Sequence, residues 1–266
     1  MDLEIRGKTA LICAASRGFG KATALRLAAE GVKVAMCARG RETLDEAAGE
    51  AAVLAAGGAR DVLARAVDVT DAGAMRNFVN ETEQVLGPID LLLVNAGGPP
   101  AGRFADLDSD QWDAAYRLNL ASAVDLCRLV MPGMMERGWG RIVQVTSVSV
   151  KQPVENLMLS SVIRPAAHAL ARWLAVEAAP RGVTVNSVAP GFHTTSAVER
   201  LIARKMEDTG CTREDVIAGW TRDIPLGRLG DPDELAALIV FLMSGPAGYI
   251  TGQCIASDGG WVKGTF

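Results

Sequence analysis

Short apolar runs alternate with longer stretches of helical periodicity along nearly the whole chain, and no other feature constrains the fold as much. A short apolar strand followed by an amphipathic helix sends the chain back across the sheet, so that the next strand lies parallel to the first. Residues 9–14, 32–37, 62–67, 91–94, 141–146, 184–188 and 253–257 read as strands. Residues 19–30, 42–56, 72–86, 111–137, 166–179 and 232–243 read as helices, the first three closed by Gly31, Gly57-Gly58 and Gly87-Pro88.

The alternation is never broken by a linker, an internal repeat or a low-complexity segment. The expected architecture over 1–266 is therefore a single α/β domain of doubly wound Rossmann type, a parallel sheet flanked by helices. Residues 194–222 form its largest insertion, with mixed charges (Arg200, Arg204, Lys205, Glu207, Asp208), and suit a lid over a substrate. With 27 basic against 31 acidic residues and no basic cluster, the chain lacks the cationic stripe that nucleic acid or an anionic membrane demands. A small-molecule partner is the expectation. The five cysteines (Cys13, Cys37, Cys127, Cys211, Cys254) are scattered, with no C-x-x-C pair, and read as reduced thiols; no metal site is expected. No apolar run approaches the roughly 18 residues of a membrane span and no signal-peptide pattern opens the chain, so the cytoplasm is the expected location.

The first strand runs into CAASRGFG over residues 13–20, a turn of small residues opening a helix. In that setting backbone N–H groups can meet a pyrophosphate. Nineteen residues after Gly20, where an acid would bind the ribose hydroxyls of NAD, stands Arg39. With Arg17 and Arg41 it offers guanidinium donors to a 2′-phosphate, which favours NADP(H).

These residues resemble the short-chain dehydrogenase/reductase family, in particular its 3-oxoacyl-(acyl carrier protein) reductase-like branch. The resemblance rests on the turn ASRGFG, Val67-Asp68-Val69, Asn95-Ala96-Gly97, Asn119, Ser147, Pro190-Gly191, and the endings PLGRLGDPDELA and YITGQ…DGG, in order along the chain. It implies that Ser16, Arg17, Gly18, Phe19, Gly20 and Arg39 hold the phosphate end of the cofactor and that Asp68 and Val69 flank the adenine. Asn95, Ala96 and Gly97 would line its backbone, with Pro190, Gly191 and Thr195 near the nicotinamide. From its residue type alone, Asp68 reads equally as a surface helix cap. The apolar helix 232–243 and last strand resemble the family's subunit contacts, which implies a homo-oligomer, a tetramer or dimer. One departure is Cys13-Ala14 where the family has Thr-Gly; a methyl group at Ala14 fits only if that residue keeps an ordinary φ.

A second departure falls on the catalytic pattern. The family places a Tyr thirteen residues after the Ser and a Lys four further on; counted from Ser147, those positions hold Ser160 and Arg164. A phenol near pKa 10, lowered by an ammonium, can protonate a developing alkoxide, whereas a serine hydroxyl cannot do so readily and an arginine holds charge without passing protons. Pro165 biases Arg164 away from helical angles, so the helix is expected to start late or to kink here, with Ser160 and Arg164 then not sharing a face. Lys151, Glu155, His193, Tyr116 or water could replace the missing acid. For the first two a solvated surface side chain is the plainer reading, and for Tyr116 a packed core position.

The leading expectation is an NADP-dependent oxidoreductase acting on a ketone or secondary alcohol. Ser147 would bond the oxygen, Asn119 would hold a water, and Arg164 would bind the cofactor ribose or an anionic substrate group. The alternatives are a lyase, isomerase or cyclase on the same fold, or a catalytically silent NADP-binding subunit.

Overall fold

The computed structural model describes residues 1–265. Seven parallel strands form one sheet: β1 (Thr9–Cys13), β2 (Lys33–Ala38), β3 (Val62–Ala66), β4 (Ile89–Val94), β5 (Gly140–Val145), β6 (Val183–Pro190) and β7 (Cys254–Ser257). Their spatial order is β3-β2-β1-β4-β5-β6-β7. The order reverses between β1 and β4, because the crossovers from β1 run to one side and those from β4 to the other. Doubly wound sheets bind ligands in the crevice such a reversal opens at the carboxyl ends of the strands.

Side-chain alternation explains why both faces are covered. In β1, Ala10 and Ile12 enter one core while Leu11 and Cys13 enter the other. The first core is closed by α1 (Gly18–Ala29), α2 (Arg41–Leu54) and α9 (Pro232–Leu242), which contribute Leu27, Leu44 and Ile239. The second is closed by α3 (Ala72–Val85), α5 (Ser122–Arg137) and α6 (Met158–Ala178), with Phe78, Leu126 and Ala171. The segment 194–222 adds α7 (Ser196–Thr209) and α8 (Arg213–Thr221), whose Val198, Ile202 and Val216 form a small separate cluster with Phe192 and Trp220. The outward face of α6 leaves Val162, Trp173 and Val176 exposed.

Two helices depart from expectation. The stretch read as one helix over 111–137 is α4 (Ser109–Tyr116), a π-helical turn (Arg117–Ala121) and α5. The extra residue in that turn re-aims Asn119, and such turns recur at functional sites. The second departure overturns the late start expected of α6. That helix begins at Met158 and runs through Pro165. Leu159, Ser160, Arg164, Ala167, Ala171 and Ala175 are all buried, so tertiary burial of this face outweighs the lost backbone bond and the bias before proline. Ser160 and Arg164 thus share a face, one turn apart.

Leu93, at the centre of β4, is fully buried. Leu93→Ala is expected to lower stability by about 2–5 kcal/mol, read as a shift of the urea midpoint with unchanged slope.

Candidate active site

The crevice begins where β1 ends. Ala14 has a φ of 52°, in the left-handed region, and not the ordinary angle its methyl group was expected to need. The turn is too tight for another path: a Cβ on Gly20 would lie 2.3 Å from the Ala14 carbonyl oxygen. This is why position 20 holds glycine, and why α1 can press its first turn against the strand end. Its N-cap, Arg17, supplies no side-chain acceptor, and the first turn holds no acid. Its free N–H groups are left for an anion.

The other proposed cofactor residues gather around this turn. A Cβ on Gly18 would lie 3.6 Å from Thr195 Cγ2, so the loop after β6 borders the glycine turn. The Thr195 hydroxyl caps α7 by accepting from Val198 N–H at 3.3 Å. Gly191 follows Pro190 at the end of β6, and its N–H donates to Ser257. Asn95 Nδ2 donates to the Cys13 carbonyl at 3.3 Å, tying the end of β4 to that of β1, and Ala96 and Gly97 continue from it. Arg39 follows β2 and, like Ser16 and Arg17 after β1, belongs to the carboxyl end of the sheet; both arginines are exposed and make no ion pair among the described residues. Asp68, next to Val69, is not a helix cap, since Asp71 caps α3. Its carboxylate accepts from the N–H and hydroxyl of Thr70. Burial raises its pKa, but these bonds and the charge of Arg39 bring it below the ordinary value.

At β5 the catalytic candidates converge. Ser147 Oγ accepts from Ser149 N–H at 3.1 Å, which leaves its own proton free to donate. Asn119 Nδ2 donates to the Gly97 carbonyl at 3.1 Å, while its Oδ1 is buried without a partner. An orphaned buried acceptor suits a water or a hydroxyl. Ser160 Oγ lies 2.9 Å from Ser149 Oγ in a buried pair. Arg164 Nη1 donates to the Val145 carbonyl at 2.6 Å. Burial lowers the Arg164 pKa to about 10, which leaves it a cation at neutral pH.

The replacements for the missing acid are not gathered here. Lys151 is exposed, and its charge acts, after burial, to lower the pKa of His168. Glu155 is exposed and pairs with Arg103 at 3.6 Å. Tyr116 is half exposed, not a core tyrosine. His193 is buried, with Nδ1 3.3 Å from the Gly191 carbonyl, Nε2 3.3 Å from Ser257 Oγ, and its ring edge-on to Phe19. Burial first of all lowers its pKa, so it is a neutral brace between the glycine turn and β7. Ser149 had no signal in the sequence, because only the early start of α6 brings Ser160 to it. The same holds for Phe192, stacked on Trp220 of α8 at 4.4 Å and touching Trp261. No group of residues fit to hold a metal ion occurs among those described, and none of their helices is long and apolar enough to cross a membrane.

Comparison with known proteins finds similar chains over nearly the whole length. A family model described as enoyl-(acyl carrier protein) reductase matches residues 13–262. An acetoacetyl-CoA reductase of Shinella zoogloeoides is 35% identical over 95% of this chain and 98% of its own length. A 3-oxoacyl-[acyl-carrier-protein] reductase of Thermotoga maritima is 34% identical over 98% and 100%. The L-sorbose reductase of Gluconobacter frateurii, solved with NADPH and L-sorbose, superposes with a TM-score of 0.92 at 30% identity, covering 99% of this chain and 100% of that one.

The strained angle at Ala14 gives a prediction. Left-handed alanine costs about 1–2 kcal/mol and the added unfolded-state entropy of glycine about 0.4–1 kcal/mol. Ala14→Gly should therefore raise stability by about 0.5–1 kcal/mol in urea denaturation.

Proposed function

This chain belongs to the short-chain dehydrogenase/reductase family, and from that premise we propose that it is an NADP-dependent oxidoreductase acting between a ketone and a secondary alcohol. The observation that carries the cofactor preference is the pair Arg17 and Arg39, two exposed guanidiniums that follow β1 and β2 at the carboxyl end of the sheet and make no ion pair among the described residues. A 2′-phosphate gives both guanidiniums a doubly charged acceptor, and an adenosine ribose without it does not. The NADPH bound to L-sorbose reductase supports the same choice.

The fit extends along the cleft. Ser16 to Gly20 and Arg39 would hold the phosphates, Asp68 and Val69 the adenine, Asn95 to Gly97 the middle, and Pro190, Gly191 and Thr195 the nicotinamide end. When bound, the nicotinamide supplies or takes a hydride. The chain's own part is to position the substrate and stabilise charge. Ser147 turns its free O–H toward the carbonyl oxygen, and Asn119 Oδ1 holds a water that can deliver the proton. Ser160 and Arg164, in place of the family's Tyr and Lys, make this an atypical member, since neither tyrosine of the chain lies buried near Ser147. The helices α7 and α8 serve as the lid, fixed to the cleft by Phe192 against Trp220. The exposed apolar residues of α6 favour a homo-oligomer.

Two measurements test this reading. In fluorescence titrations, Arg39→Ala should weaken NADPH binding roughly tenfold to a hundredfold and leave NADH nearly unaffected, as loss of a charged hydrogen bond worth about 1.5–3 kcal/mol demands. Cofactor oxidation with a broad ketone panel should be measurable and should fall roughly 10²–10³-fold in Ser147→Ala. A wild-type protein that binds NADPH but turns over no carbonyl compound would shift the assignment to non-redox chemistry or a silent subunit.

A further inference from the structure

Arg164 is 7% exposed, and among the described residues it has no carboxylate partner. Its guanidinium makes one hydrogen bond, to the Val145 carbonyl, while Nε is buried with no acceptor at all. A buried charge left without a counter-charge is strongly destabilising. A chain that keeps one at its ligand cleft is arranged for an anion that arrives with the ligand.

The neighbours of Arg164 give the same answer. Ser160, one turn before it on α6, shares a hydrogen bond with Ser149, so one of the two hydroxyl protons is used and the other remains to be donated. Ser147 also keeps a free O–H. The cluster on β5 and α6 is therefore rich in donors, and the unpartnered buried oxygens near it among the described residues are Asn119 Oδ1, on the neighbouring π-turn, and the hydroxyl of Ser161, which can itself donate. A ribose hydroxyl both donates and accepts and carries no charge. A ketone oxygen accepts but is neutral. A carboxylate only accepts, is charged, and matches a guanidinium fork in two bonds at once.

We propose that the substrate carries a carboxylate, held by Arg164 with the hydroxyls of Ser160 and Ser149, so that the enzyme acts on oxo acids or hydroxy acids. This rests on the reductase reading of the same cleft and narrows its substrate class. Ser149 becomes a binding residue, and Arg164 is assigned to the substrate and not to the cofactor ribose. Acyl thioesters and neutral sugars, which offer no carboxylate beside the reacting carbon, leave the guanidinium unpaired.

Calorimetric titration without turnover tests this directly. The probes are acetoacetate, 3-oxohexanoate and 3-oxooctanoate, each matched to the neutral diketone in which a methyl group replaces the carboxylate oxygen. At least one acid should bind about tenfold or more tightly than its neutral match. Arg164→Gln should abolish that difference while NADPH affinity stays within about twofold, and Arg164→Lys, which keeps the charge, should restore part of it. The proposal is overturned if no acid binds, if acids and neutral matches bind alike, or if Arg164→Gln weakens NADPH and leaves acid binding intact. Should Arg164→Gln fail to fold, the wild-type comparison of acids with neutral matches decides alone. Cofactor oxidation on the same samples separates the two readings. Turnover of neutral ketones without preference for acids sinks the carboxylate and spares the reductase; acid binding without any turnover does the reverse.

Discussion

A Cβ on Gly20 would stand 2.3 Å from the carbonyl oxygen of Ala14, and the closeness of that approach governs what the rest of the crevice can do. It lets α1 begin directly on the end of β1, with its free N–H groups aimed past the strand. It also forces the chain through a left-handed angle at a residue that carries a methyl group. The same turn is braced from outside, since Phe19 rests edge-on against buried His193, and His193 is bonded to Ser257 of β7. The glycine turn and the far edge of the sheet are therefore one packed unit. Phe192 and its stack on Trp220 extend that unit into the segment 194–222.

The other end of the cleft obeys a different constraint. There the chain buries polar groups that it does not satisfy by itself: Arg164 Nε and Asn119 Oδ1. Both are positioned by irregularities in helices. The π-turn aims Asn119, and α6 carries Arg164 through a proline. Native chains leave few buried polar atoms unpaired, and on the proposed reading these two are completed by a ligand.

The architecture was legible in the sequence because hydrophobic periodicity is a property of many residues at once. The alternation in β1, with Ala10 and Ile12 to one side and Leu11 and Cys13 to the other, fixes a sheet covered on both faces. Local irregularities were not legible, because each depends on one residue against its tertiary surroundings. Pro165 argued for a late helix start, yet the buried side chains along α6 outweigh it. Ala14 argued for an ordinary φ, yet the approach of Gly20 overrides that preference. The Ser149–Ser160 pair could not be read at all, since it exists only because α6 starts early enough to bring Ser160 to the end of β5.

These facts together explain how the fold can persist with an altered catalytic pattern. The residues of α6 that enter the apolar core against the sheet are Ala171, Ala175 and Ala178, and that core includes neither 160 nor 164. Replacing a phenol by the Ser160 hydroxyl removes an acid but creates no buried orphan there, because Ser149 meets it. A guanidinium at 164 where the family has an ammonium keeps the charge and presents a planar fork whose hydrogen-bond partner among the described residues is one backbone carbonyl. The first change removes a means of giving a proton, and the second increases the capacity to hold an anion. On the proposed reading, the site trades proton delivery by the protein for recognition of charge on the substrate, over the same sheet and glycine turn.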